Sequence, residues 1–435
     1  MPYNFDTRSA DFDASFRRFL ALRRETGADV DTRVAGILEA VRDHGDSALL
    51  DYTAELDKHR MTPAEMRVSR ERQQAALESC DPETVKALEL ARERIDAFHR
   101  YQVPADHETT DALGIRMGDR WTPVDGAGLY VPGGTAAYPS SVLMNAVPAK
   151  VAGVGRLVMT VPAPEGQLNA LALAAAHIAG VDEVYQVGGA QAIGALAYGT
   201  ETIAPVDKIV GPGNAYVASA KKQVFGTVGI DSIAGPSEVL IIADRDNDPA
   251  VLAADLLAQS EHDTKAQAIL VTDDDELAGA VARMVDQHLT ALPRAEIAGA
   301  SWRDYGAIVR VQTLAEAAEV ANRVAPEHLE LAVKDPDALL GAVRHAGAIF
   351  LGANTPEVLG DYVGGPNHVL PTDRCARFAS GLSVLDFMKR STVLQCNTEG
   401  LQAIGPAAVT LARAEGLDAH AMSLTLRLKA EGTTD

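Results

Sequence analysis

The chain has 435 residues, 47% of them hydrophobic, and its 39 basic against 60 acidic side chains give a formal charge of −21. That length exceeds one core and predicts two to four domains, which the apolar fraction suffices to bury. The acidic excess argues against sequence-independent binding to nucleic acid or to an anionic membrane. The apolar region 142–161 is interrupted by Asn145, Pro148, Lys150 and Arg156 and is not a membrane span. The start, M-P-Y-N-F-D-T-R-S-A-D-F-D, has no apolar signal segment behind a basic flank, so the cytoplasm is the expected location. Cys80, Cys375 and Cys396 form no C-x-x-C pair and fit a reducing compartment, not a disulfide framework or a thiolate zinc site. A thioester-forming cysteine nucleophile is the alternative, but none of the three lies in a Gly-rich or basic loop.

In chain order, Phe12, Phe16, Phe19 and Leu20 recur at helical spacing and predict a short amphipathic arm that packs on a partner. Residues 30–51 and 82–101 are helical by period, and 111–130 is strand-like. From there strands and helices alternate. Residues 157–161, 183–187 and 208–210, then 239–243, 268–272, 307–311 and 348–351, read as buried strands with Ala- and Leu-rich helices between them. That pattern predicts two tandem α/β units with parallel sheets. After Ser380 the chain turns mostly helical, ending in helices over 399–415 and 417–430.

The polar chemistry gathers at a few places. In A-A-D-L-L-A-Q-S-E-H-D, residues 253–263, Gln259 and His262 stand three apart and share one helix face. Alone, the run reads first as an amphipathic helix with a polar side. Three Gly-rich turns follow predicted strands: V-P-G-G-T-A-A-Y-P-S from Val131, V-G-G-A-Q-A-I-G from Val187 and V-G-P-G-N-A-Y from Val210. Each opens a helix, where free N–H groups suit a phosphate, though none is a G-x-G-x-x-G and any nucleotide would be bound unconventionally. A fourth turn, I-A-G-P-S-E from Ile233, joins the two units, and Ser237 there either caps a helix or faces a cleft. In A-P-E-H-L-E-L, Glu327 and His328 follow a helix boundary at Pro326. In a loop both would reach one cleft as base and proton shuttle, whereas in a strand they would face opposite ways. Asp361 and His368 bracket a Gly-rich loop, and Glu415 and His420 flank Gly416 between the last two helices.

Together these motifs resemble the histidinol dehydrogenase family. The likeness runs from about Val30 to Leu428 and adds D-K-I-V-G-P-G-N, G-P-N-H-V-L-P-T, S-G-L-S-V-L-D-F-M and E-G-L-D-A-H to the stretches above. It implies a zinc- and NAD-dependent oxidation of L-histidinol through the aldehyde to L-histidine, the end of histidine biosynthesis, with one zinc per subunit. By the same resemblance the zinc ligands would be Gln259, His262, Asp361 and His420, an N/O set suited to a borderline cation. His328 would take the alcohol proton, and Glu327 would deprotonate the water that adds to the aldehyde. Ser237, Gln259, His262, His328, Asp361, Glu415 and His420 would contact substrate, with His368 behind them, and Tyr130, Gln191 and Asn214 would contact NAD.

The implied fold is a pair of incomplete Rossmann-like, aldehyde-dehydrogenase-like units. They would comprise an arm over 1–25, a first unit over 26–129 and 237–381 carrying metal and catalytic residues, and a second over 130–236 carrying the NAD contacts. A helical tail over 382–435 would be swapped in a homodimer with shared active sites. Three other functions compete. A dehydrogenase of a sulfonated diol would need a cation where Glu327, Asp361 and Glu415 stand. A zinc hydrolase would leave the three Gly-rich turns unexplained, and a non-catalytic binding protein would need many titratable groups to converge by chance.

Overall fold

The computed structural model describes residues 2–22, 28–133, 138–233 and 235–430. Residues 134–137 of the first Gly-rich turn, Ala234 of the fourth and 23–27, where the expected arm ends, lie outside these. The chain divides into two units, one of residues 1–102 with 124–387 and one of residues 103–123 with 388–435.

The larger unit carries two six-stranded sheets. One has the spatial order Tyr3–Asp6, Ala307–Arg310, Gln267–Thr272, Glu238–Ala243, His328–Ala332, Ala348–Leu351, with every neighbouring pair parallel. Its inner strands Glu238–Ala243, Gln267–Thr272 and His328–Ala332 are buried along their whole length, as expected for a parallel sheet covered on both faces. Leu240, Ile242, Leu329 and Leu331 pack on one side, Val239, Ile241 and Leu270 on the other. The second sheet has the order Arg67–Val68, Glu183–Tyr185, Arg156–Thr160, Gly126–Tyr130, Lys208–Val210, Gly229–Ile230, parallel except for its first strand. In each sheet the chain order reverses beside a central strand, Glu238–Ala243 in one and Gly126–Tyr130 in the other.

The N-terminal arm departs from expectation. Tyr3–Asp6 is an edge strand paired with Ala307–Arg310, and Phe12, Phe16 and Phe19 are buried in this chain's own core. Phe5 packs its ring on all three. An aromatic stripe at helical spacing reads as a docking face, but here the strand before it folds back and lays it on the sheet. Residues 28–68 also differ from the expected division, since the helix Ala28–Leu56 packs on the second sheet's helices and Arg67–Val68 joins that sheet.

In the smaller unit, Met388–Gln395 pairs antiparallel with Arg116–Pro123, which pairs with His107–Thr110. The helices Thr398–Ala414 and Asp418–Ala430 follow and pack on each other. The expected helical tail therefore opens with an eight-residue strand. Its partner comes from far upstream, a pairing that local periodicity does not register.

Candidate active site

His328 opens the strand His328–Ala332 and Glu327 is the last residue of the loop before it, so the pair straddles the loop and the strand instead of lying wholly in either. Val239 lies opposite His328 in the parallel ladder, which sets Glu238 beside Glu327 at the amino ends of the two strands. The left-handed Ala325 (φ 49°) and Pro326 turn the chain into this position. Both side chains are buried, and being at the strand's start they still meet: His328 Nδ1 is 3.8 Å from Glu327 Oε2. Nδ1 also lies 3.0 Å from the Glu238 carbonyl and 3.1 Å from Gln259 Oε1. A carbonyl can only accept, so Nδ1 carries the proton and donates it. Nε2 keeps its lone pair, has no hydrogen-bond partner, and sits 3.9 Å from Asp361 Oδ1. Burial lowers the His328 pKa to about 4, keeping the ring neutral at physiological pH.

Gln259 comes from the helix Pro249–Ser260, capped by Asp248 and started by Pro249, with Leu252, Ala253, Leu256 and Leu257 against the sheet. His262 lies on the turn just beyond the helix, where its N–H donates to the Gln259 carbonyl at 3.3 Å. The shared face therefore ends in a turn. His262 reaches solvent, yet desolvation by its surroundings still lowers its pKa. Asp361 sits in the short helix Glu357–Tyr362, and His368 brings Nδ1 within 3.0 Å of its carbonyl and 3.7 Å of Oδ1. Burial raises the Asp361 pKa to about 7 and lowers that of His368 to about 4. Gln259, His262, His328, Asp361 and His368 thus gather at one end of one sheet.

The expected cofactor residues also converge. Tyr130 ends the central strand of the second sheet, and its hydroxyl accepts the Gly189 N–H at 3.1 Å, in the turn that carries Gln191. Gly211 has φ 112°, and a Cβ there would stand 2.2 Å from the Tyr130 carbonyl, so glycine allows the third turn to touch this strand. Asn214 caps the following helix, accepting from Tyr216 and Val217 N–H. Gln191 is buried with Oε1 unpaired, which leaves an acceptor for a ligand. These residues stand at the carboxyl ends of the strands, beside the reversal of strand order where open α/β sheets bind ligands. The His328 cluster occupies the amino ends of the other sheet instead. A cavity lined by Gly211, Asp231, Ser237, Glu327 and Thr372 runs from the third turn to Glu327.

A family model described as histidinol dehydrogenase matches residues 21–428. The chain belongs to the histidinol dehydrogenase family. It is 59% identical over 428 residues to the histidinol dehydrogenase of Bradyrhizobium diazoefficiens, covering 98% of this chain and 99% of that one. It is 60% identical over 429 residues to that of Rhodospirillum rubrum, again covering 98% and 99%. A crystal structure of histidinol dehydrogenase from Elizabethkingia anophelis superposes with a TM-score of 0.94 at 34% identity, covering 99% of both chains. The fold is therefore that of a histidinol dehydrogenase, and the activity class is an oxidoreductase of histidine biosynthesis.

Set against the donors a histidinol dehydrogenase would need, the cluster is rich in buried carboxylates. Among the described residues no three His, Cys, Asp or Glu side chains form a ready metal cage. In the expected set Gln259 is an amide, and His420 and Glu415 are exposed residues of the smaller unit. The surrounding acids nevertheless suit a cation, since a positive charge among them would favour their ionised forms. Asp255, Glu330, Glu357 and Asp361 all have pKa values raised by burial, Asp255 to about 6 and Glu330 to about 8. No Lys or Arg side chain pairs with them among the described residues. Glu357 is fully buried, with Oε2 3.6 Å from His328 Nδ1 and its N–H donating to Glu330 Oε1 at 2.6 Å.

Sequence reasoning passes over Glu238, Glu330 and Glu357. For the first two the signal is present as acids at the start of E-V-L-I-I-A and inside H-L-E-L-A, positions where a buried strand otherwise carries apolar residues. Glu330 gives a direct test. In the folded protein it keeps its proton to about pH 8, whereas an exposed glutamate gives it up near 4.5. This contribution to stability is complete below pH 4.5 and is lost as pH rises through 8. Glu330→Gln removes the loss. Metal-free Glu330→Gln is expected to unfold at a higher temperature than the parent at about pH 9, stabilised by on the order of 2–4 kcal/mol, and at the same temperature near pH 4.5. Parallel thermal scans at the two pH values check this.

Proposed function

We propose that this chain is a zinc- and NAD-dependent enzyme that carries L-histidinol through histidinaldehyde to L-histidine by two successive hydride transfers. The observation that carries the reading is the His328 tautomer: Nδ1 donates to the Glu238 carbonyl and Nε2 faces the cluster as a neutral, unpaired base. Gln259, His262, Asp361 and His420 would hold one zinc per subunit, and Tyr130, Gln191 and Asn214 would hold NAD. When bound, the metal orients the substrate's imidazole and amine, and the dinucleotide accepts the hydride.

The rest is done by side chains of the protein. His328 Nε2 takes the alcohol proton as the C–H bond gives up its hydride, leaving the aldehyde. Glu327 removes a proton from water as the oxygen adds to the aldehyde carbon, and the resulting hydrate loses the second hydride to give the carboxylate. Ser237, on the cavity wall with Glu327, contacts the substrate at this end, and Glu415 binds it together with the four metal donors. Glu415 and His420 would come from the tail of the second copy in a homodimer, as the family resemblance implies. The proposed location is the cytoplasm, where the other enzymes of an amino-acid biosynthesis would share its intermediates. No described helix is long and apolar enough to cross a membrane.

A sulfonated diol is disfavoured as substrate because the cluster carries Asp255, Glu330, Glu357 and Asp361 and no cationic partner among the described residues, which suits an amino alcohol. Metal-replete protein incubated with NAD and L-histidinol is expected to form NADH, and with a sulfonated diol to form none. Absence of turnover with L-histidinol overturns the assignment.

A further inference from the structure

The side chain of Glu238 has no role in the reaction described so far, yet it and the residue's backbone groups are directed at the catalytic pair and at the loop beside it. Its carbonyl accepts from His328 Nδ1 at 3.0 Å, and its N–H donates to Glu327 Oε2 at 2.9 Å. Its own carboxylate accepts the Glu327 N–H on Oε2 at 3.3 Å and the Asp373 N–H on Oε1 at 3.2 Å. The side chain is 3% exposed and begins an otherwise apolar strand. A carboxylate in such a place is costly unless its oxygens are used.

The two N–H groups it accepts from are the ones that need holding. Ala325 is left-handed and Pro326 has no N–H, so the Glu327 N–H is the first donor available after the turn. Asp373 and Arg374 are both left-handed as well, at φ 51° and 64°, and follow Thr372, which lines the cavity with Glu327. Two strained segments therefore converge on one carboxylate.

We propose that Glu238 is the positioning residue of the catalytic pair, its carboxylate fixing the backbone that carries Glu327 while its carbonyl fixes the tautomer of His328. The inference rests on Glu327 being the base of the aldehyde step. Glu238→Gln keeps size and burial but puts an NH2 group, which cannot accept, where one carboxylate oxygen stood. One of the two N–H groups is then left facing a donor, and the Glu327 carboxylate loses its fixed aim.

The test compares oxidation of L-histidinol and of supplied L-histidinaldehyde by metal-replete Glu238→Gln, Glu327→Gln and the double variant. Glu238→Gln is expected to lower kcat for the aldehyde by about ten- to a hundredfold, with a much smaller effect on the first hydride transfer from the alcohol and little change in KM. In the Glu327→Gln background the same substitution is expected to cost almost nothing further, because its effect runs through Glu327. If Glu238→Gln slows both oxidations equally, or its loss multiplies with that of Glu327→Gln, Glu238 acts only on general stability and the proposal fails. If Glu327→Gln itself slows both oxidations equally, the assignment of Glu327 fails first, and the positioning role with it. Should Glu238→Gln not fold, Glu238→Asp, with both oxygens withdrawn by one methylene, replaces it in the same comparison, and the same outcomes support or overturn the proposal.

Discussion

Glu327→Gln is expected to abolish the second oxidation while largely sparing the first, with kcat for supplied L-histidinaldehyde falling by about 10²–10⁴-fold. Only addition of water to the aldehyde needs a base acting on water. Glu327 lines the cavity that Ser237 and Thr372 share, whereas His328 Nε2 points to Asp361. Gln keeps the shape and can still accept the Glu238 N–H, so the loss is of the base and not of the fold. His328→Asn is expected to slow both oxidations by a comparable factor, because each hydride leaves a carbon whose hydroxyl must give up its proton, and no other neutral lone pair is so placed. Single-turnover NADH formation from each substrate separates the two cases. Equal damage by Glu327→Gln to both would refute the division of labour.

Removal of the metal is expected to reduce turnover to background and leave the circular dichroism spectrum unchanged. Gln259 and Asp361 belong to helices whose neighbours have cores of their own, with Leu252, Leu256 and Leu257 packed on the sheet regardless of what Gln259 holds. A structural metal behaves otherwise, since its binding free energy is folding free energy. Protein that unfolds as its metal is chelated would make the site structural and overturn the orienting role assigned to it. Re-addition of zinc to the folded, chelated protein is expected to restore the rate.

The alternation of strand and helix is legible in the sequence, because buried parallel strands such as Val239–Ala243 stand out as short apolar runs between Ala-rich helices. The gathering of Gln259, His262, Asp361 and His368 is legible only through family resemblance, as each residue alone suits any polar surface. His328 reads as part of a loop because Pro326 marks a boundary and the E-H dipeptide breaks the apolar run. The ladder with Val239 is what makes it the first residue of a strand. The arm misleads for a similar reason: the spacing of Phe12, Phe16 and Phe19 shows an apolar face, but not which surface covers it. Glu238 escapes notice because its role lies in whose N–H groups it accepts, and both donors are far away in sequence.

The most direct measurement of the central claim is the count of NADH formed per L-histidinol consumed when metal-replete protein is given limiting substrate and excess NAD. Two NADH per substrate, with L-histidine as the product, is the expected result. One NADH with histidinaldehyde accumulating, or none at all, would contradict it.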